Sequence, residues 1–330
     1  MTWQRPSLED LRGRTLRYVR MSVTDRCQFR CPYCRPKEGE SPCSPGPELL
    51  QVSEFGRISR VLQRIGIDTV RLTGGEPLLR RDLADIIKAV HDTGIRDLAI
   101  TSNGALLTPT RAKALAAAGL ARINISIDTL DAERFRTLSG GATLEPVLRG
   151  LRAAADSGLQ LKTNTVVVRD QNEDELLPIA QFIWSLGGVP RFIEVMPVGA
   201  GKDLTMVPAS EIMAKFRLSP EENSSSKRAG IGPSDYWIHD MNPDQVVGVI
   251  AATTRNFCAR CNRIRVTATG QIRPCLASAS GVDLRKMLRE DHADDDTILA
   301  AIQESLSIKV DGHRFIDAVA SENSMLALGG

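Results

Sequence analysis

Three cysteines fall within eight residues, Cys27, Cys31 and Cys34 of DRCQFRCPYCRP, a C-x3-C-x2-C spacing. Three thiolates on one short loop can hold three corners of a four-iron cluster and leave the fourth iron without a protein ligand. Such an iron does chemistry, whereas a fully ligated cluster mainly carries electrons. The plainer alternatives are a zinc site and a helix face with cysteines at i, i+4 and i+7. Structural zinc takes four ligands, and no fourth stands nearby in this segment. Pro32, inside the run, opposes a helix interior. An iron–sulfur cluster is the predicted occupant.

A second triplet, Cys258, Cys261 and Cys275, lies in FCARCNRIRVTATGQIRPCL. This run predicts a hairpin, with strand 262–267, a turn at Gly270 and strand 271–275. Pairing 267 with 271 sets 275 opposite 263, so Cys275 returns beside Cys261. Three thiolates again converge without a fourth, and zinc completed by His239, His292 or His313 stays open here. Arg263 and Arg265 alternate along the same strand and leave one face beside the triplet, where two guanidiniums suit phosphate oxygens. Cys43, in SPCSP, reads as a free surface thiol. Seven cysteines, six of them clustered, oppose a disulfide framework, and MTWQRPSLEDLRGR shows no apolar leader. The expected compartment is a reducing cytoplasm.

The elements that must position these groups are α/β in pattern. LRYVRMSVT (16–24), TVRLT (69–73), DLAITS (97–102), RINISID (122–128), LKTNTVVV (161–168) and RFIEVM (191–196) read as strands. Between them lie helical segments: one beginning at Ser53, one after Asp82 with Asp85 three residues on, and one capped by Thr108 and Pro109. Gly94 and Gly119 close the second and third. Six β-α alternations predict a parallel sheet, a partial (βα)6 TIM-type barrel open on one side, with chemistry at the C-terminal strand ends. The first triplet follows the first strand directly, and Gly74, Gly75, Glu76 and Pro77 end the second. Residues 218–235 are rich in Pro, Gly and Ser, and a helical stretch is expected at 283–306. The predicted division is 1–217 for the barrel and 218–330 for a smaller α+β region carrying the second triplet.

The net charge of +2 is too small for a nucleic-acid coat, and aromatic residues are only 4% of the chain, so a module stacking on RNA is disfavoured. No apolar run approaches membrane-spanning length.

The cysteine loop followed by GGEP resembles the radical S-adenosylmethionine superfamily. With YVRMS, RLTGGEP, TSNG, NISID, RFIEVM and the second cysteine block, the chain from about Leu16 onward is similar to the GTP 3′,8-cyclase family of molybdenum cofactor biosynthesis. The resemblance implies two [4Fe–4S] clusters on the two triplets, with S-adenosylmethionine at the first and GTP at the second. Tyr33, Gly75, Ser126 and Met196 would contact S-adenosylmethionine. Arg20, Arg71, Ser102, Lys162, Arg191, Arg263, Ile264 and Arg265 would bind GTP. The terminal Gly329 and Gly330 would reach into the active site and serve turnover, since only glycines enter a crowded pocket without a side-chain clash. Serine stands at 102 where the family usually has threonine, and Arg35 where it usually has methionine. Implied partners are a flavodoxin- or ferredoxin-type reductant and the downstream cyclic pyranopterin monophosphate synthase. A homodimer is the assembly considered, and no motif fixes the oligomeric state. The competing readings are a peptide-modifying radical enzyme with an extra cluster, which usually carries more C-terminal cysteines, and a zinc-binding interaction module.

Overall fold

The computed structural model describes residues 8–35, 43–220, 231–255, 257–276, 278 and 281–309. A short hairpin of β1 (Leu8–Glu9) and β2 (Thr15–Leu16) precedes β3 (Tyr18–Ser22). There follow α1 (Val52–Arg64), β4 (Thr69–Thr73), α2 (Leu83–His91), β5 (Asp97–Ser102), α3 (Pro109–Ala117) and β6 (Arg122–Ser126). Then come α4 (Ala132–Leu138), α5 (Glu145–Ala155), β7 (Gln160–Val167), α6 (Leu176–Ser185) and β8 (Arg191–Glu194). The remaining elements are α7 (Ala209–Ala214), β9 (Leu218–Pro220), β10 (Asp235–His239), β11 (Asn242–Ile250), β12 (Arg263–Val266), β13 (Gln271–Arg273), β14 (Val282–Asp283), α8 (Leu284–Arg289) and α9 (Asp295–Ser305).

The six strands expected from the sequence, β3 to β8, pair in order and in parallel. Two more parallel strands come from the C-terminal region, β12 against β3 and β11 against β8. Antiparallel strands extend beyond both, giving the order β14-β13-β12-β3-β4-β5-β6-β7-β8-β11-β10-β9. The residues after 218 thus continue the barrel sheet at both edges. Alternation sorts the side chains: Val19, Met21, Val70, Leu72, Ile264 and Val266 pack in the apolar layer under the helices, while Arg20, Arg71 and Arg265 occupy the intervening positions.

Helix ends depart from expectation in small ways. α1 begins at Val52, before Ser53, because Gln51 and Glu54 form a reciprocal capping box. Asp82 stands before α2 without capping it, its carboxylate being held by Arg80. Thr108 caps α3 as expected, accepting from Arg111 N. The stretch 283–306 is two helices, with His292 between them at φ +47°.

The loop bearing the first triplet lies directly on the end of β4. Gly75 N donates to Thr24 O and Glu76 N to Arg26 O, each at 2.7 Å. A Cβ on Gly75 would lie 2.1 Å from Arg26 O, too close for any real contact. Gly75→Ala is expected to displace the cysteine loop, cost about 1–3 kcal/mol of stability and strip iron from the first triplet. Thermal unfolding and iron per chain after anaerobic reconstitution measure this; wild-type values for both would refute it.

Candidate active site between two cysteine triplets

Two adjoining hollows run through the barrel, of about 230 and 150 Å³. Cys27, Cys31 and Cys34 line the smaller one, and Cys258, Cys261 and Cys275 line the larger. Tyr33, Cys34, Thr101, Ser126 and Asp128 belong to both walls. The first triplet follows the C-terminal end of β3. Arg263 pairs in parallel with Tyr18, so Cys258 and Cys261 lie where β3 begins. The two triplets therefore sit at opposite ends of a strand five residues long, a span of roughly 16 Å. The chemistry is not confined to the C-terminal strand ends, as the barrel pattern had suggested.

The turn Cys31–Arg35 is closed by Cys34 N and Arg35 N on Cys31 O. Cys27 Sγ accepts from Phe29 N at 3.4 Å and from Asn103 Nδ2 at 3.9 Å. Burial pushes all three thiols up, Cys34 to about 12. Behind them, buried Glu76 accepts from Leu78 N (2.9 Å), Ser102 Oγ (2.7 Å) and Asn103 N (2.7 Å). Tyr33 OH donates to Asp128 Oδ2 at 2.6 Å, and Val166 N donates to Oδ1 at 2.8 Å, so Asp128 ties the cysteine loop to β7.

The second triplet is cationic. Burial works against ionisation of Cys261, but Arg263 and Lys309 bring it down to about 7. The predicted hairpin register holds: Arg265 pairs with Arg273 and Val266 with Ile272, which sets 275 opposite 263. Arg20 sits in register with Arg71 on one side and Arg265 on the other, a row of guanidiniums across three strands. Burial and mutual repulsion lower Arg265 to about 10. Arg191, also lowered to about 10 by burial, donates to Asn124 Oδ1 (2.6 Å) and Thr163 O (3.3 Å). A Cβ on Gly248 would come 2.6 Å from Arg191 Cγ, so the bare glycine of β11 leaves room for that side chain. Lys162, lowered by burial to about 8, donates to Tyr236 OH at 2.9 Å.

Among the described residues, no group of three or more His, Cys, Asp or Glu is placed to hold a single metal ion. One zinc ion needs its thiolates around one point, whereas a four-iron cluster takes them on separate irons. No histidine lines either hollow among the described residues, and His239 packs edge-on against Trp184, 5.8 Å between centroids. Each hollow offers three thiols, the number that leaves one iron of a four-iron cluster without a protein ligand, and His313 lies outside the described residues. Tyr18 OH, Arg71 Nε, Thr101 Oγ1 and Asn164 Oδ1, all on the larger wall, are buried without a hydrogen-bond partner, which fits a polar, anionic ligand.

Residues 21–183 match the Radical SAM superfamily model and residues 190–315 the model described as Molybdenum Cofactor Synthesis C. The chain is 39% identical over 330 residues to "GTP 3',8-cyclase" of Pelotomaculum thermopropionicum, covering 98% of this chain and 100% of that one. It is 40% identical over 314 residues to the protein of that name from Erythrobacter litoralis, covering 93% of each. The chain belongs to the GTP 3′,8-cyclase family. Its fold is similar to that of Streptococcus suis SuiB bound to S-adenosylmethionine, with a TM-score of 0.61 at 14% identity over 92% of this chain and 77% of that one. At that identity the likeness concerns the fold alone.

Within this family frame, Arg20, Arg71, Arg263, Arg265 and Met196 line the larger hollow, Gly75 the smaller, and Tyr33 and Ser126 both. The remaining expected residues are placed differently. Ser102 lines the smaller hollow only, its hydroxyl directed at Glu76. The side chain of Ile264 is in the apolar layer, which leaves only its backbone for a ligand. The N–H of Gly75 is taken by Thr24 O, so any backbone contact there falls to its carbonyl. Lys162 and Arg191 stand near the beginnings of their strands and do not line the larger hollow, although Arg191 interacts electrostatically with Arg71 and Tyr18, which do. Gly329 and Gly330 lie outside the described residues.

Sequence reasoning missed Thr101, Asn164, Asp128 and Tyr236. Alternation was the available signal for the first two: Leu98 and Ile100 face the helices, which turns Thr101 inward, and Asn164 follows Lys162 by two. It also missed Glu194, fully buried, which accepts from Ala209 N, Thr253 N and Thr254 N at 2.7–2.9 Å and anchors the chain leading to the second triplet.

Burial raises Asp128 from 3.8 to about 6, against the opposing pull of Tyr33 and Val166 N–H. A carboxyl raised on folding binds its proton more tightly in the folded chain than in the unfolded one. Its contribution is fully present below the ordinary value and is lost as pH rises through about 6. The metal-free protein is therefore expected to lose up to about 3 kcal/mol between about pH 4 and 6, and Asp128→Asn to flatten that window. Denaturant unfolding across the range measures it; parallel profiles for the two proteins would count against this assignment.

Proposed function

We propose that the chain converts GTP to (8S)-3′,8-cyclo-7,8-dihydroguanosine 5′-triphosphate, the first step of molybdenum cofactor biosynthesis, as a radical S-adenosylmethionine enzyme with two [4Fe–4S] clusters. The observation that carries this reading is a cationic hollow with an incomplete thiolate set at each end. Cys27, Cys31 and Cys34 would hold a cluster that, once reduced by the external donor and with S-adenosylmethionine bound, would supply the radical chemistry needed to remove the ribose H3′. Tyr33, Ser126, Met196 and the Gly75 carbonyl border that cofactor, and the Asp128 link holds Tyr33 in place. Cys258, Cys261 and Cys275 would hold the second cluster, which would supply a binding position for the guanine. Arg20, Arg71, Arg263 and Arg265 bind the triphosphate within the hollow, with Lys162 and Arg191 supporting from one tier deeper. Ser102 and the Ile264 backbone join the substrate set on family resemblance, as Gly329 and Gly330 join the catalytic set. Their common effect is to hold C3′ near C8 and to keep water and other hydrogen donors away while both bonds change.

The same reading divides the chain into the radical S-adenosylmethionine partial barrel, 1–217, which also supplies Arg20 and Arg71 to the substrate site, and a C-terminal region, 218–330, that carries the second cluster, Arg263 and Arg265. It places the enzyme in the cytoplasm, where thiolate-held clusters persist, and no helix among the described residues is long and apolar enough to cross a membrane. It calls for a flavodoxin- or ferredoxin-type reductant, approaching where the first cysteine loop exposes Arg26 and Arg30, and for the cyclic pyranopterin monophosphate synthase as consumer of the product. A homodimer is the assembly proposed. A peptide-modifying reading is less well supported, because a buried row of guanidiniums suits a polyanion.

Anaerobic reconstitution tests the proposal: about eight irons per chain and GTP-dependent release of 5′-deoxyadenosine are expected, and bound zinc with no cleavage would overturn it. Cys27→Ser is expected to abolish cleavage while keeping about four irons per chain; normal cleavage would remove Cys27 from the ligand set. Arg265→Ala should weaken GTP binding about 10- to 100-fold with both clusters retained. Unchanged affinity in an equilibrium titration would place that arginine outside the site.

A further inference from the structure

Lys309 carries its side chain into the protein interior, with the residue only 7% exposed. Its Nζ donates to Arg263 O and to Pro274 O, each at 2.7 Å, and lies 3.8 Å from Cys261 Sγ. Arg263 opens β12 and Pro274 stands just before Cys275, so one ammonium bridges both arms of the hairpin at the level of the thiolates. The lysine is delivered there by α9, whose Ile298, Ile302 and the following Leu306 are buried, while Arg57 of α1 bonds Asp295 and Ala293 O. A second cation approaches from the other side: Arg14 Nη1 donates to Cys258 O at 2.8 Å. Arg14 is neutralised by Asp10, Nε to Oδ2 at 2.6 Å. Lys309 instead reaches a thiol directly: its Nζ is held between two backbone carbonyls and lies within 3.8 Å of Cys261 Sγ, beside whatever the thiolates bind.

We propose that Lys309 is a positioning residue of the second cluster, holding Cys261 and the two hairpin arms in ligating register and making that cluster easier to reduce. This rests on the reading of the second triplet given above. Reduction adds negative charge, a nearby fixed cation stabilises it, and hydrogen bonds and charge around the sulfurs are what tune such potentials. Lys309→Met removes the charge and both carbonyl bonds; Lys309→Arg keeps a cation.

The test uses reconstituted full-length enzyme, with iron per chain and a reductive titration followed by electron paramagnetic resonance, GTP marking the second cluster's signal and S-adenosylmethionine the first's. In Lys309→Met the GTP-sensitive signal is expected at a lower midpoint potential, or absent with iron falling from about eight to about four per chain. The other signal should not move, and Lys309→Arg should stay near wild type. A methionine variant with wild-type iron and both midpoints unmoved would overturn the inference. Should that chain fail to fold, Lys309→Gln, uncharged but still a donor, reads the same midpoint. A wild-type chain holding only about four irons would instead bring down the two-cluster reading, and this inference with it.

Discussion

Positive charge buried in the middle of the barrel is the constraint around which the rest is arranged. Arg20, Arg71 and Arg265 stand side by side on three hydrogen-bonded strands, where the ladder register does not let them separate. Like charges in a poorly solvated interior repel, and burial lowers Arg20 and Arg265 in the same direction. What offsets this is the opposite face of the same strands. YVRMS, TVRLT and RIRV each place arginine between apolar residues, so one alternation builds both the hydrophobic layer and the cationic hollow. An anion placed among these guanidiniums would offset their mutual repulsion.

The two cysteine sites differ in the same electrostatic terms. Around the first triplet burial dominates and pushes all three thiols up, with Glu76 adding to it at Cys27 and Asp128 at Cys31, while Arg35 opposes it at Cys27 and Cys34. Around the second, Arg263 and Lys309 pull Cys261 down. The difference is that burial outweighs the cation near the first triplet, whereas cations outweigh burial at Cys261.

Much of the framework was legible in the chain. Six strands were readable because each is bounded by a cap or a glycine stop, as with Thr108 and Gly119. The hairpin register was readable because Gly270, at φ +86°, fixes the turn. The two further parallel strands were not, since β11 and β12 look locally like parts of antiparallel hairpins and become parallel only by docking on β8 and β3. The partner of Ser102 was not legible either: TSNG marks the strand end, but the hydroxyl's bond to Glu76, 26 residues earlier, follows from the pairing of β4 with β5.

What the amino-acid order settled by itself were the short-range facts: two incomplete thiolate triplets, arginines alternating with apolar residues, and glycines where the backbone must turn or pass closely. Covalent geometry and strand or helix periods dictate relations over a few residues, so these survive without knowledge of the fold. Only the folded chain decided which end of the barrel each triplet occupies, which arginines meet, and that Arg14 reaches a carbonyl 244 positions away. Such contacts depend on how distant segments close on one another, and no local period carries that information.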